Sequence, residues 1–276
     1  MTPFTVPEQD SLTTEGYVIR HRAFTSERMQ ALCTRTSQLL ADAAARHLAG
    51  ALPSLDFWTL MHRSPFDALG FWDLSRGSPI TLPATAWEPF AMRLGHGLHL
   101  VDGDFDAVCR GPELALPLVS SGARSVIQSA VVYKQPHSES VQFGLHQDAW
   151  YLSSEPESLM LAFVALDDMD VDNGCLEVVP GSHRLPRQAT FRMGPNGFVS
   201  VDRRDQGRPP DGAVKLPLAR GSVAFLHGRT YHGSAPNRSA RPRRALIVHT
   251  LGDSPLLPSS WVQPPAGGFA SLSVKT

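Results

Sequence analysis

Apolar positions follow two different rhythms along this chain. Between Ser26 and Leu48, the residues Met29, Leu32, Cys33, Leu39, Leu40 and Ala43 recur at three- and four-residue spacings. This lays one apolar stripe along a helix and predicts a scaffold element packed on a sheet. Thr25 or Ser26 is placed to cap it, with Glu27 in its first turn. Just upstream, Gly16-Tyr17-Val18-Ile19 reads as a short strand. Further on the rhythm changes. Ser125 to Tyr133 is β-rich and bounded by Gly122 and Pro136, Leu159 to Leu166 is almost continuously apolar, and Gly221 to Leu226 and Arg244 to Leu251 complete the set. Short strands separated by turn-rich segments predict a sandwich or barrel rather than alternating βαβ units. Between them, Ala51 to Pro89 is rich in Pro, Trp and Phe without a period, and reads as irregular loops and short helices covering a pocket.

Length and composition narrow the picture. A chain of 276 residues, 42% hydrophobic and 18% charged, can bury one sizeable core. The expected layout is a single domain over 1–276: a helical part at about 1–120, a β core at about 121–255 and a tail at 256–276. A formal net charge of −1 does not suggest a nucleic-acid or membrane-surface partner, which leaves a small molecule as the default. Cys33, Cys109 and Cys175 are odd in number and scattered, so they build neither a disulfide framework nor a zinc site. Met1 to Ser11 lacks the basic start and apolar run of a signal peptide, and no apolar stretch approaches the ~18 residues of a membrane span. The expectation is a cytoplasmic protein, monomeric or homodimeric.

The chemistry begins at Leu145-His146-Gln147-Asp148. In an extended segment, residues two apart share a face, so His146 and Asp148 offer an imidazole and a carboxylate to one cation while Gln147 points away. A third ligand is needed, because two histidines and one carboxylate on one face of an octahedron, with three positions open, are diagnostic of iron(II) oxygenases. It is found 84 residues on, where Val223-Ala224-Phe225-Leu226 leads into a turn carrying His232. Eleven residues after His232 comes Arg243, at the start of another β-rich run. 2-Oxoglutarate chelates iron through its 2-oxo and C1 carboxylate oxygens, and its far carboxylate must be neutralised inside the pocket. A guanidinium fork does this bidentately, and a hydroxyl such as Ser234 adds a hydrogen bond.

These residues carry a family resemblance. The chain resembles the phytanoyl-CoA dioxygenase family of double-stranded β-helix oxygenases, and is most similar to its short domain-containing members. The resemblance covers Glu15-Gly16-Tyr17-Val18, Gln128-Ser129, Lys134-Gln135-Pro136-His137, His146-Gln147-Asp148, Asn173-Gly174-Cys175-Leu176, Pro180-Gly181-Ser182-His183, His232 to Asn237 and Trp261-Val262-Gln263-Pro264. It implies a mainly β fold with flanking helices around a jelly-roll, cupin-like core. It also implies Fe(II) on His146, Asp148 and His232, 2-oxoglutarate on Arg243 and Ser234, Gln128 lining the pocket, and O2 as the oxidant. Some relatives have Gly or Ala in place of the carboxylate ligand and halogenate; with Asp148 present, the implied outcome is hydroxylation, with succinate and CO2 released. The family's basic lid residues find no counterpart in Ala51 to Gly95.

Several residues take structural readings. His183 holds a turn, and His227 is five residues from His232 and reads as a packing histidine. His249 falls on the Arg243 side of its strand by alternation, and Trp150 and Phe163 are candidate pocket walls. Arg203, Arg204 and Arg208 form a solvated loop cluster. Arg241 and Arg244 compete with Arg243 for the anchor, and only alternation and family spacing separate them. Two other classes share the ligand set: a non-redox zinc hydrolase or isomerase, and a ligand-binding module on the same barrel.

Overall fold

The computed structural model describes residues 2–51, 67–138, 143–187, 189–194, 197–203 and 209–273. Residues 52–66 of the proposed pocket cover, and Arg204 and Arg208 of the loop cluster, lie outside them. The larger sheet runs Tyr17–Arg20 (β1), Val223–His227 (β11), Met160–Ala165 (β6), Arg243–Leu251 (β13), Ser125–Lys134 (β4), Ala91–His96 (β3) and Gly70–Trp72 (β2), with Ala270–Ser271 (β14) also on β4. The smaller sheet is Val214–Leu216 (β10), Leu176–Val178 (β7), His232–Ser234 (β12) and Phe143–His146 (β5). Ala189–Gly194 (β8) and Gly197–Arg203 (β9) pair as a separate hairpin. The result is a mainly β jelly roll with flanking helices, as expected. The first 120 residues supply β1, β2 and β3 to the larger sheet in addition to their helices.

The near-continuous apolar runs have a simple cause. The larger sheet is covered on both faces, so its central strands have no solvent side to keep polar. Along β6, Met160, Ala162 and Val164 join the core under the helices, while Leu161, Phe163 and Ala165 join the core facing the smaller sheet. Along β11 and β13, Phe225, Leu246 and Val248 take the helix side, and Leu226 and Ala245 the inner side.

Ser26–Leu48 (α2) begins where its cap predicts, with Thr25 Oγ1 accepting from the Arg28 N–H at 3.2 Å. Its stripe of Met29, Leu32, Cys33, Thr36, Leu39, Leu40, Ala43 and Ala44 is buried against the larger sheet. Each fully buried Leu or Met there contributes about 1.5–3 kcal/mol. The stretch after residue 66 contains β2, β3 and four short 3-10 turns between Leu74 and Phe90. Gly16 shows why the early Glu15-Gly16-Tyr17 motif matters for packing. Its φ is +81°, and a Cβ there would lie 2.4 Å from His183 Nδ1.

Val6–Thr14 (α1) is tied to β1 by a two-pronged ion pair. Arg20 Nε and Nη2 donate to Glu8 Oε1 and Oε2, each at 2.8 Å, and the Thr5 backbone N–H donates to Oε2 at 2.8 Å. The Arg20 hydrogen bond pulls the Glu8 carboxyl down from 4.5 to about 2. A carboxyl held low in the fold stabilises above its unfolded value and loses that contribution as pH falls through the folded one. Glu8→Gln should therefore lower stability by about 1 kcal/mol at pH 7, discounted for solvent screening. The deficit should vanish towards about pH 2. Thermal melts of both proteins across that range check this, and a deficit that persists unchanged at the acid end contradicts it.

Candidate active site

His146 ends β5, Gln147 is extended, and Asp148 opens a 3-10 turn to Trp150. Gln147 points away from its neighbours: its Nε2 donates to Arg229 O at 2.9 Å and its Oε1 accepts from Trp150 Nε1 at 2.8 Å. Across the smaller sheet, β12 pairs with β5 so that His232 lies directly opposite His146, with ring centroids 4.5 Å apart. His146, Asp148 and His232 each present one ligand atom, all within 4.8 Å of one another.

Each imidazole is oriented by its own backbone. His146 Nδ1 lies 2.8 Å from Gly144 O, and His232 Nδ1 lies 3.0 Å from Thr230 O. A carbonyl can only accept, so Nδ1 carries the proton in each ring and Nε2 turns a lone pair to the common centre, as in metal-ligating histidines. Burial draws His232 down to about 4, so it is neutral at pH 7. Burial also disfavours charge on His146, but the Asp148 carboxylate outweighs it and the net shift is upward. Burial opposes the Asp148 charge too, yet the surrounding imidazoles hold its carboxyl well below the usual range. Two imidazole nitrogens and one carboxylate suit a divalent cation of the iron type.

Strand β13 places the arginines by alternation. Arg243 is 1% exposed, facing the inside of the roll. Its Nε and Nη2 donate to Gly174 O at 3.1 and 2.9 Å, and Nη2 lies 3.3 Å from Ser234 Oγ. Its guanidinium also sits 5.7 Å from the Phe163 ring. No carboxylate pairs with Arg243 among the described residues, although a buried cation calls for an anion. Arg244 points the other way, making two hydrogen bonds to the Asp167 carboxylate at 2.9 and 2.8 Å. Arg241 pairs with Asp170 on the surface. Gly174, with φ +77°, admits this arrangement because a Cβ there would lie 2.4 Å from Ala235 O.

Lys134, opposite Arg243 on β4, is fully buried and its Nζ donates to the Ser234 and Ala235 carbonyls. Burial, with Arg243 alongside, lowers it to about 7. Gln128 is also fully buried, with its Oε1 accepting from Trp261 Nε1 at 3.1 Å. Trp261 stacks on Tyr151 at 5.3 Å, and Tyr151 and Trp150 stand edge-on to His146 at 5.9 and 6.4 Å. The tail motif thus walls the site. His183 and His227 lie in the β11–β12 surroundings as structural groups: His183 Nε2 is 3.0 Å from Thr13 O, and His227 Nδ1 accepts from the Arg229 N–H at 3.1 Å.

The fold and this donor set define the class. A family model for phytanoyl-CoA dioxygenase (PhyH) matches residues 12–245, and the chain belongs to that family. Phytanoyl-CoA dioxygenase domain-containing protein 1 of Mus musculus is 32% identical over 182 residues, covering 62% of this chain and 62% of that protein. Phytanoyl-CoA dioxygenase of Arabidopsis thaliana is 30% identical over 163 residues, covering 58% and 56%. These alignments span less than two thirds of the relatives' lengths. Among solved structures, the epimerase SnoN in complex with Fe3+, alpha ketoglutarate and nogalamycin RO aligns over 98% of this chain and 95% of its own, with TM-score 0.65 and 18% identity. The carbocyclase SnoK aligns over 93% and 87%, with TM-score 0.60 and 21% identity. No described helix is long and apolar enough to cross a membrane.

One basic residue of the pocket escaped the sequence reading. Arg93 on β3 has its Nε and Nη2 buried without a hydrogen-bond partner, its guanidinium 5.9 Å from the Trp261 ring. Burial lowers it to about 10, and the Asp148 charge partly offsets this. Its signal in the sequence is weak, because Ala91 to His96 has no clean alternation and Arg93 falls at the end of Ala51 to Gly95, the stretch that lacks a family counterpart. A buried donor left without a partner costs about 1–3 kcal/mol, and Arg93 has two such nitrogens on a half-buried side chain. Arg93→Met should therefore raise the melting temperature of the ligand-free protein, by about 1–2 kcal/mol in stability. Differential scanning calorimetry reads this directly, and a lower melting temperature would show that Arg93 is structurally satisfied.

Proposed function

We propose that this chain, acting as one domain over 1–276, is an Fe(II)- and 2-oxoglutarate-dependent dioxygenase. It hydroxylates an unactivated C–H bond of a small-molecule metabolite and releases succinate and CO2. The observation that carries this is the pairing of two features on one interior: the His146–Asp148–His232 donor set and the buried Arg243 with Ser234 beside it. A hydrolase or isomerase using the same metal donors has no need of that second, anion-seeking feature. Fold neighbours described in complex with Fe3+ and alpha ketoglutarate, or with 2-oxoglutarate, support the reading.

The donors fit Fe(II), because both imidazoles are held by backbone carbonyls with Nε2 directed to the centre. The three residues would hold the cation from one side and leave positions open for co-substrate and oxidant. Bound there, Fe(II) with 2-oxoglutarate and O2 supplies the oxidation, in which one oxygen atom goes to the substrate C–H and the other to succinate as CO2 leaves. Arg243 and Ser234 hold the far carboxylate of 2-oxoglutarate, and Gln128 lines the pocket. Phe163 keeps water from the Arg243 fork, which strengthens the ion pair. Trp150, Tyr151 and Trp261 wall the substrate side. The residues therefore bind, orient and dehydrate, and the cofactors carry the oxidation.

Anaerobic calorimetric titration with Fe(II) and then 2-oxoglutarate tests this reading, followed by a succinate-release screen over metabolite classes. Wild-type protein should bind one Fe(II) per chain, and His146→Ala or Asp148→Ala should abolish it. Removing one partner of a buried pair costs about 2–5 kcal/mol, so Arg243→Ala should weaken 2-oxoglutarate binding roughly thirty- to several-thousand-fold while iron binding persists. Arg244→Ala should keep 2-oxoglutarate affinity but melt slightly earlier, because Asp167 loses two side-chain hydrogen bonds and keeps Arg220 and the residue 244 backbone N–H. If 2-oxoglutarate affinity is unchanged in Arg243→Ala, the co-substrate assignment fails.

A further inference from the structure

We propose that His249 is a positioning residue for Asp148: its Nε2–H holds Oδ2, so that the carboxylate offers the single oxygen Oδ1 to the bound cation. The inference rests on the metal-centre reading above. His249 Nε2 lies 3.0 Å from Asp148 Oδ2, and the side chain is buried at 3% exposure. An ionised carboxylate only accepts, so the proton of this hydrogen bond sits on Nε2. The other ring nitrogen agrees: Nδ1 is buried with no hydrogen-bond partner, as a bare lone pair can be.

A second observation comes from the backbone. The β13–β4 ladder slips at this point. His249 faces Gln128, but Thr250 faces Val126, so Ile127 is left over on β4. Such bulges bend a strand and re-aim a side chain beside active sites. Here the slip falls at the residue that reaches across to Asp148. The same strand face carries Arg243 six residues earlier, so one strand aims both at the co-substrate end and at the carboxylate ligand.

The consequence is a count of coordination positions. Asp148 Oδ1 lies 3.6 Å from His146 Nε2, and Oδ2 lies 3.6 Å from His232 Nε2, so nothing in the triad itself prevents both oxygens from turning on one cation. With Oδ2 committed to His249, the protein occupies three positions. A carboxylate free to chelate through both oxygens would take a fourth, leaving too few for a two-oxygen co-substrate and an oxidant.

The test uses the full-length protein with Co(II) as the probe. Wild type should bind one Co(II). His249→Phe, which has no donor, should bind it about 10–100-fold more weakly with an unchanged circular dichroism spectrum. His249→Asn, whose amide can donate, should recover most of the loss. If wild type and His249→Phe bind equally tightly, this inference is overturned and the metal centre stands; if wild type binds no Co(II), the metal-centre reading falls and takes this inference with it. Should His249→Phe fail to fold, the NMR spectrum of wild type with isotope-labelled histidine decides. A slowly exchanging Nε2–H on His249 in the Zn(II)-loaded protein supports the assignment, and an Nδ1–H tautomer overturns it.

Discussion

The antiparallel pairing of β12 with β5 is the contact on which the site depends. It sets His232 opposite His146 inside the smaller sheet, each ring anchored through Nδ1 to a carbonyl two residues back. Because side chains alternate along a strand, a slip of one residue would turn Gly233 to that position and put His232 on the other face. The short strands are held in register from outside. β7 pairs with β12 on its far edge, and the turn after Asp148 is pinned by the Ala149 N–H donating to Gly228 O at 2.9 Å. The donor geometry is thus a property of backbone hydrogen bonds more than of the three side chains.

Around this centre the interior is electrostatically unbalanced. Arg243, Lys134 and Arg93 bring positive charge into a roll whose inner core is otherwise apolar, while Asp148 is enclosed by imidazoles. Burial lowers Lys134 to about 7 and both arginines to about 10, which is the physical signature of cations held away from water. Carbonyl groups satisfy part of this: Gly174 O accepts from Arg243, and Ser234 and Ala235 accept from Lys134. Among the described residues Arg243 has no carboxylate partner, which leaves a demand for an anion beside it. Such a site trades stability for binding, and the two-sided burial of β6, β11 and β13 is what lets the fold carry it.

Fold neighbours that include an epimerase and a carbocyclase show that this roll does not by itself decide the transformation. One wall of the donor site is aromatic. In this chain that wall is Trp150, Tyr151 and Trp261, the last brought in by a tail whose Trp261 N–H donates to Tyr151 O at 3.0 Å.

Much of this was legible in the sequence where the determinant is local. The three- and four-residue rhythm of α2 and its Thr25 cap depend only on neighbours along the chain, and the helix spans Ser26–Leu48 as that rhythm requires. The alternation that sends Gln147 away from His146, and Arg244 away from Arg243, is equally local. Motif spacing carried the rest of the donor set. Tertiary structure alone decided which residues meet between segments: Arg93 reaching Trp261, His249 reaching Asp148, and β2, out of a stretch without a period, joining β3 to extend the larger sheet. These depend on strand register and on one ladder slip at His249, set by the packing of separate segments of the chain. No periodicity within a segment encodes the register between two of them, because each strand's pattern specifies which face is buried and leaves the partner to the assembled core.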